Sequence, residues 1–382
     1  MRICFISTYP PIECGIATYT QYLTWALRRK QLHVYIVSHY GGSGRNVFEA
    51  FDYEDGDLAS KAFSMITRLS PDLVHIQHEF GLFGKQKGVS LTPLYLQLKM
   101  VGIPTVTTLH TVLENHSYEE SIILSYLVNY SDGVIIHESY QYEILKKLVS
   151  PENLSKVQII PHGARDVRPI KNAKAILGIN PSTKVILMIG YFASHKGFED
   201  IIDLWPRIYE RLERMEEDVL LIIAGKVRTL AQIEYGNMLF NKINLSSHRD
   251  KIRVIRGQIS QQSFDTVICA ADVVVLPYKR VSQSGILAHC LAFGKPVVIS
   301  NVFRNDFLKE TEVALISNSK EDYVENIVRL LTDKDLYERL SKNAKEYVKK
   351  KVSWDIIAEK HIDLYRKFVE PSILKVKTIW MD

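Results

Sequence analysis

The 382-residue sequence contains only four cysteines, and none of them shows CxxC or metal-ligand spacing. Cys4 and Cys269 lie in apolar segments, where a thiol is usually a small buried hydrophobic group. A disulfide framework and a cysteine-based metal site are therefore excluded. We expect reduced thiols and a cytosolic location.

Long apolar runs are also absent, because no stretch approaches the twenty or so residues that span a membrane. Residues 1–6 predict a first strand rather than a signal peptide. The net charge of +5 is mild, and no basic stripe is interleaved with aromatic residues, which argues against nucleic-acid binding. Basic clusters at 28–30 and 349–351 are typical of solvated helix ends, and they also permit peripheral contact with the inner face of a membrane.

Short apolar strands alternate with amphipathic helices along most of the chain, at a length that favours two domains. Strands are predicted at 3–7, 33–38, 73–76, 105–109, 133–136, 157–160, 185–189, 219–224, 251–255, 270–276 and 296–299. The charged segment 164–175 lacks periodicity and is predicted to be a linker, and the last third of the chain is predicted to be helical. This pattern predicts an α/β protein of two doubly wound, Rossmann-like domains facing each other across a cleft.

Histidines follow four successive strands of the first half, at positions 78, 110, 137 and 162. Ligands of open parallel sheets bind at the edge formed by the carboxyl ends of the strands. The four side chains therefore indicate a polar cleft at this edge, although a single such histidine is more often a structural hydrogen-bonding group.

A small-residue turn at Ser284-Gly285 follows the strand that ends at Leu276 and opens a helix. A helix start directs free backbone N–H groups and the positive end of the helix dipole at an anion. Glycine allows a phosphate to approach that backbone closely. The turn is thus either a phosphate site or an ordinary strand-to-helix turn that binds nothing.

Several short motifs, each weak alone, occur together in a characteristic order. They are residues 9–15 (YPPIECG), 108–111 (TLHT), 160–163 (IPHG), Gly190 with Lys196-Gly197, Ala224-Gly225, 271–277 (ADVVVLP) and 294–298 (GKPVV). In this order the chain resembles the retaining glycosyltransferases of family 4, which have the GT-B fold. The resemblance implies domains at 1–165 (acceptor side) and 166–353 (nucleotide-sugar side), with 354–382 as a helix returning to the first domain, plus a tail.

The resemblance also implies roles for individual positions. His110 and Lys196 match the catalytic positions, with His110 near the donor sugar and the Lys196 ammonium on the donor phosphates. The remaining donor-binding positions are Gly15, Gly190, Gly225, Lys226, Ser284, Gly285, Ile286 and His289. His78, Glu79 and Phe80 are expected to face the acceptor. Phe80 or Phe83 could stack on a sugar ring, or both could simply pack the loop.

Three positions depart from the family pattern. Tyr191 replaces an arginine that often follows the first glycine of the loop that carries Lys196 (residues 190–197, the lysine loop). Val281 and His289 replace two glutamates. Of these two replacements, only His289 has a side chain that can hydrogen-bond a hydroxyl. These departures leave two alternatives: a pseudo-transferase that binds a nucleotide sugar or glycan, and a nucleotide-sugar epimerase of the same fold.

We expect a retaining hexosyltransferase that needs neither a cofactor nor a metal ion, because no DxD-type carboxylate pair is placed to hold one. The implied partners are a nucleotide-diphosphate sugar of glucose or mannose type and an acceptor hydroxyl on a glycan, a lipid-linked sugar or a small molecule. In place of a metal, the helix start at Ser284-Gly285 and the charge of Lys196 would stabilise the leaving diphosphate.

Overall fold

The structure is a computed structural model that describes residues 1–227, 229–257 and 259–379. For residues 309 and 370–379 it describes the backbone alone. It consists of two compact units. Unit 1 comprises Met1–Gly163 and the chain from Val352 onward, and unit 2 comprises Ala164–Lys351.

Unit 1 is built on a seven-stranded sheet in the order β3-β2-β1-β4-β5-β6-β7, and all of its paired strands are parallel. The strands are β1 (Arg2–Ser7), β2 (His33–His39), β3 (Val47–Phe51), β4 (Leu73–His78), β5 (Thr105–Leu109), β6 (Gly133–Ile136) and β7 (Val157–Ile159). The central strands are buried along their whole length, which explains their continuous apolar runs.

Helices cover both faces of this sheet. They are α1 (Gly15–Arg29), α2 (Leu58–Leu69), α3 (Thr92–Met100), α4 (Tyr118–Tyr130), α5 (Ser139–Leu145), α6 (Pro151–Leu154) and, after unit 2, α15 (Trp354–Ile379). α1 and α15 share one apolar core with the sheet, and α2, α3 and α4 share the core on the other face. α4 begins with a capping box in which Ser117 and Glu120 satisfy each other's backbone N–H groups.

Unit 2 has a six-stranded parallel sheet in the order β10-β9-β8-β11-β12-β13. Its strands are β8 (Lys184–Tyr191), β9 (Val219–Lys226), β10 (Ile252–Arg256), β11 (Val273–Leu276), β12 (Val297–Ser300) and β13 (Ala314–Ser317). Its helices are α7 (Ala173–Ile176), α8 (Phe198–Glu213), α9 (Leu230–Asn244), α10 (Gln261–Ala270), α11 (Gly285–Ala292), α12 (Phe307–Glu310), α13 (Lys320–Thr332) and α14 (Lys334–Tyr347). The apolar stripes of α8, α9 and α13 meet on one face of the sheet.

The eleven predicted strands are all present, with ends that differ by a few residues. The two edge strands β3 and β13 were not predicted from the sequence, because they are only partly buried and so lack the continuous apolar pattern of the interior strands. The predicted linker at 164–175 was also only partly right, because it ends in the short helix α7 and its Arg165 is bound within unit 2.

Candidate functional site

The candidate donor site lies in unit 2, where the neighbouring strands β9, β8 and β11 end at the same edge of the sheet. Gly190 and Gly225 are paired across β8 and β9 at this edge. A Cβ on Gly225 would lie 2.0 Å from the Gly190 carbonyl oxygen, so the strands can approach this closely only with glycine there. Lys226 follows, with its Nζ 5.8 Å from the centre of the Tyr191 ring.

The helix α11 starts directly beyond β11 and exposes a positive helix end. Ser284 is its N-cap residue, and its Oγ accepts a hydrogen bond from the Leu287 N–H at 3.2 Å. No acidic side chain lies in the first turn. The N–H groups of Gly285 and Ile286 have no carbonyl partner within the helix, as in any first turn. A Cβ on Gly285 would meet no atom within 4 Å, so the backbone here is open to close approach.

Lys196 lies in the loop between β8 and α8, and this loop is packed against the loop that leads to α11. The Lys279 N–H donates to the His195 carbonyl oxygen at 2.8 Å. Gly197 has a φ of +67°, and a Cβ there would lie 2.1 Å from the Pro277 carbonyl oxygen. The tertiary fold therefore brings Lys196 to the same strand ends as the start of α11.

The Lys196 ammonium has an aromatic partner rather than an anionic one. Its Nζ lies 3.6 Å from the centre of the Tyr278 ring, a cation–π contact. Within residues 1–227, 229–257 and 259–379 it makes no hydrogen bond and no ion pair. Burial lowers the pKa of Lys196 to about 8, because a poorly hydrated ammonium is disfavoured. A cation without a counter-charge near a helix start is suited to bind an anion.

The start of α8, in contrast, is already neutralised. Its first turn carries Glu199 and Asp200. The Lys279 Nζ lies 2.5 Å from the Glu199 carboxylate and 3.4 Å from that of Asp200. Of the starts of α8 and α11, that of α11 is therefore the better anion site.

His289, on the second turn of α11, is held as a neutral ring. The Arg165 Nε–H donates to His289 Nδ1 at 3.2 Å, and the rest of the Arg165 guanidinium forms a forked ion pair with Asp265. Burial, together with the positive charge of Arg165, lowers the pKa of His289 to about 3. Because Nδ1 accepts a hydrogen bond, the proton of the neutral ring is on Nε2.

In unit 1, the predicted catalytic His110 belongs to a buried chain of hydrogen bonds. His110 Nε2 donates to Gln77 Oε1 at 2.7 Å, and Gln77 Nε2 donates to His75 Nε2 at 3.2 Å. His75 Nδ1 lies 2.6 Å from the Tyr365 hydroxyl of α15. On the other side, His110 Nδ1 lies 3.4 Å from His137 Nε2. Side chains of the same unit thus contact both ring nitrogens of His110.

These histidines are neutral because they are buried. Burial, with a smaller contribution from neighbouring histidines, holds the pKa values of His75 and His110 well below their usual range. Burial lowers the pKa of His137 to about 4, although its bond to the Ile160 carbonyl oxygen at 2.9 Å favours the protonated form. The four predicted histidines do line one sheet edge, and His162 reaches the cluster through ring contacts with Tyr19 and His137.

The predicted acceptor-side residues lie at the end of β4. His78 is buried, which lowers its pKa to about 3, and its Nε2 has no hydrogen-bond partner among the described residues. Glu79 accepts hydrogen bonds from the Thr111 hydroxyl at 2.5 Å and the Phe80 N–H at 3.2 Å. Burial raises the pKa of Glu79. Phe80 is only 8% exposed and Phe83 is fully buried, so the structure favours the packing alternative for these rings.

The last predicted donor residue, Gly15, is the first residue of α1 in unit 1, rather than part of the preceding loop. Four polar partners of the predicted residues were not predicted from the sequence: Gln77, Tyr278, Arg165 and Tyr365. Nothing in their local sequence distinguishes them, because each is defined by a contact with a residue far away in the chain.

Two kinds of feature are absent from the residues that the structure describes. No group of three or more histidine, cysteine, aspartate or glutamate side chains in that part of the chain is arranged to hold a metal ion. None of its helices is long and apolar enough to cross a membrane.

The two Rossmann-like units define an α/β protein of the GT-B fold, and solved structures share it. A sucrose-phosphate synthase from Thermosynechococcus elongatus superimposes with a TM-score of 0.79 at 18% identity, covering 97% of this chain and 100% of that one. The Anabaena protein HepE, solved with UDP and glucose, gives a TM-score of 0.73 at 15% identity over 95% and 98% of the two chains. The fold predicted from the sequence is confirmed.

The sequence comparisons show a similarity to glycosyltransferases. Residues 169–347 match the sequence model of the family described as glycosyl transferases group 1. A protein of Methanocaldococcus jannaschii described as an uncharacterized glycosyltransferase is 26% identical over 65% of this chain and 63% of its own length. The alpha-D-kanosaminyltransferase of Streptomyces kanamyceticus is 24% identical over 48% and 45%, so both matches span less than two thirds of the relative. Unit 2 therefore contains a segment that is similar to the group 1 glycosyltransferases, and this similarity supports the prediction of a transferase.

Proposed function

We propose that the protein is a retaining, metal-independent glycosyltransferase of family 4 that transfers a hexose from a nucleotide-diphosphate sugar. The observation that carries the proposal is the Lys196 ammonium, which has no counter-charge among the described residues and lies at the same strand ends as the open helix start at Gly285. The diphosphate of the donor would bind between these two positive groups.

In this proposal the bond between the anomeric carbon and the diphosphate oxygen breaks, and the diphosphate keeps the electron pair. The growing negative charge is stabilised by the Gly285 and Ile286 N–H groups and by Lys196, which are fixed before the reaction starts. The acceptor hydroxyl oxygen bonds to the anomeric carbon, and its proton passes to the leaving diphosphate. The retention of configuration rests on the resemblance to family 4.

A uridine nucleotide with glucose is our first choice of donor. Two solved structures of the same fold support this choice: HepE was solved with UDP and glucose, and another is a UDP-forming trehalose-phosphate synthase of Burkholderia xenovorans. We propose an acceptor hydroxyl on a sugar or sugar-linked molecule, contacted by Glu79, whose carboxylate lies beside Thr111 at the end of β4. Phe80 and Phe83 would shape this region by packing rather than by stacking on the acceptor.

The first experiment is a thermal-shift screen against UDP, GDP, ADP and their common sugar conjugates, each with and without EDTA. A ligand at about a hundred times its Kd stabilises by about 2.7 kcal/mol, which is readily detected. We expect a shift with one nucleotide that EDTA does not change. A shift that EDTA abolishes would refute metal independence, and no shift with any donor would refute the proposed function.

The second experiment tests Lys196 directly in a transfer assay with the donor so identified. Lys196→Ala should lower kcat by about a hundredfold, as the loss of one oxyanion donor does in other enzymes. Lys242→Ala is the matched control, because this lysine of the same unit is paired with Asp203. Equal activity of the two variants, with intact folding, would contradict the role of Lys196. Proton NMR of the product gives the anomeric configuration and so tests retention.

A further inference from the structure

Tyr278 is buried beneath Lys196, at the position that a carboxylate would occupy if the lysine were part of an ordinary ion pair. Its ring centre is 3.6 Å from Lys196 Nζ. The ring also packs against Phe303, at 5.2 Å between ring centres. The Tyr278 carbonyl oxygen accepts a hydrogen bond from Ser300 Oγ at 2.6 Å. Both the ring and the backbone of Tyr278 are therefore held in place.

The tyrosine also connects the lysine loop with the start of α11. Burial raises the pKa of the Tyr278 hydroxyl, while the nearby side chain of Ser284, the N-cap residue of α11, lowers it. The hydroxyl thus stays neutral, and it makes no hydrogen bond of normal geometry within the described part of the chain. The ring face of Tyr278 consequently contacts Lys196, and its hydroxyl group lies near Ser284 at the start of α11.

We propose that Tyr278 is a positioning residue that orients the Lys196 ammonium toward the anion bound at α11 without neutralising its charge. This inference rests on the proposed function of Lys196. An aspartate or glutamate would hold the ammonium as firmly, but it would compete with the donor diphosphate. The π face of an aromatic ring attracts the cation while carrying no net charge.

The charged groups on the surrounding elements fit this role, because the acidic ones are already bound. Glu199 and Asp200 of α8 are paired with Lys279, and His195 is held neutral by burial and by the positive charges of Lys196 and Arg280. The attraction from the Tyr278 ring therefore opposes the burial that lowers the pKa of Lys196. Removal of the ring should lower that pKa further.

The experiment compares Tyr278→Phe, which keeps the ring, with Tyr278→Leu, which removes it. For the nucleotide diphosphate found in the screen, we expect unchanged affinity in Tyr278→Phe and a Kd about fivefold higher in Tyr278→Leu. The pH midpoint of binding should fall by about half a unit or more in Tyr278→Leu only. Wild-type affinity and midpoint in a folded Tyr278→Leu variant would overturn the proposal.

A second measurement needs neither ligand binding nor a destabilised variant. Reductive ¹³C-methylation keeps lysine charges, and the resonance of Lys196 is identified as the one missing in Lys196→Arg. In the wild type, methyl groups above an aromatic face should be shifted upfield by its ring current, and the titration of the same resonance gives the pKa. A resonance at the position of exposed lysines would overturn the proposal. If no nucleotide binds but the upfield shift is present, the proposed function fails and the lysine–tyrosine pair stands.

Discussion

The sharpest prediction concerns the pH dependence of donor binding, which the environment of Lys196 determines. Burial lowers the pKa of Lys196 to about 8 in the free protein. A bound diphosphate favours the charged ammonium and so raises this pKa. Below pH 8 the lysine is already charged, and binding is independent of its titration. Above pH 8 binding must be accompanied by proton uptake, so the affinity decreases as the pH rises.

The size of the effect follows from the position of the pKa. At pH 7 about nine tenths of the free protein carries the charged lysine, and at pH 9 about one tenth does. The affinity for the nucleotide diphosphate should therefore fall about tenfold between pH 7 and pH 9, which corresponds to about 1.4 kcal/mol.

Isothermal titration calorimetry at several pH values measures this directly, and two buffers of different ionisation enthalpy report the proton uptake. Lys196→Arg is the matched control, because arginine remains charged throughout this range and meets the same ligand. Its affinity should be nearly constant from pH 7 to pH 9. A flat profile in the wild type, or an equal slope in both proteins, would refute the argument.

Four further predictions follow from single contacts. Gly285→Ala should leave the unfolding free energy within about 0.5 kcal/mol of wild type, because its Cβ meets nothing within 4 Å, yet it should weaken diphosphate binding in calorimetry. Glu79→Gln should raise the KM for the acceptor and leave donor affinity unchanged; an equal loss of donor affinity would contradict an acceptor role. Gly163→Ala should destabilise unit 1 by about 1–3 kcal/mol in urea unfolding, since its Cβ would lie 2.4 Å from the Trp354 ring. Lowering the pH from 7 to 5 should reduce the free energy of unfolding by about 2 kcal/mol through His137. Its pKa is lowered from 6.5 to about 4 in the folded protein, so only the unfolded chain takes up the proton in this range.

Much of the fold could be predicted because parallel strands buried on both faces produce continuous apolar runs that end at recognisable turns. β5 and β6 have the predicted bounds for this reason. The edge strands β3 and β13 have one exposed side, and their pattern resembles that of a loop. The helix start at Ser284-Gly285 was predictable as well, because capping and turn chemistry are local.

The partners within the site could not be predicted, because they depend on contacts between distant segments. Tyr278 follows a strand-ending proline, and nothing in that local sequence indicates the ring contact with Lys196. Gln77 stands beside the predicted His78, but its bond to His110 exists only because β4 and β5 are neighbours in the sheet. The resemblance supplied the position of His110, whereas its burial and its hydrogen bonds came only from the packing of unit 1.

The burial of His110 decides which residue should control the pH profile of the proposed activity. A histidine near the donor sugar suggests a titration near pH 6.5, the ordinary pKa of the side chain. In the structure, however, burial keeps His110 neutral across the assay range, and His289 is neutral as well, with a pKa of about 3. Lys196, with its pKa of about 8, is the predicted donor-site residue that titrates between pH 5 and pH 9, and on the acceptor side burial raises the pKa of Glu79. Activity that rises from pH 5 to pH 7 with a midpoint near 6.5, and keeps this profile in both Lys196→Arg and Glu79→Gln, would therefore assign the acid–base step to a histidine and contradict the packing of unit 1 described above.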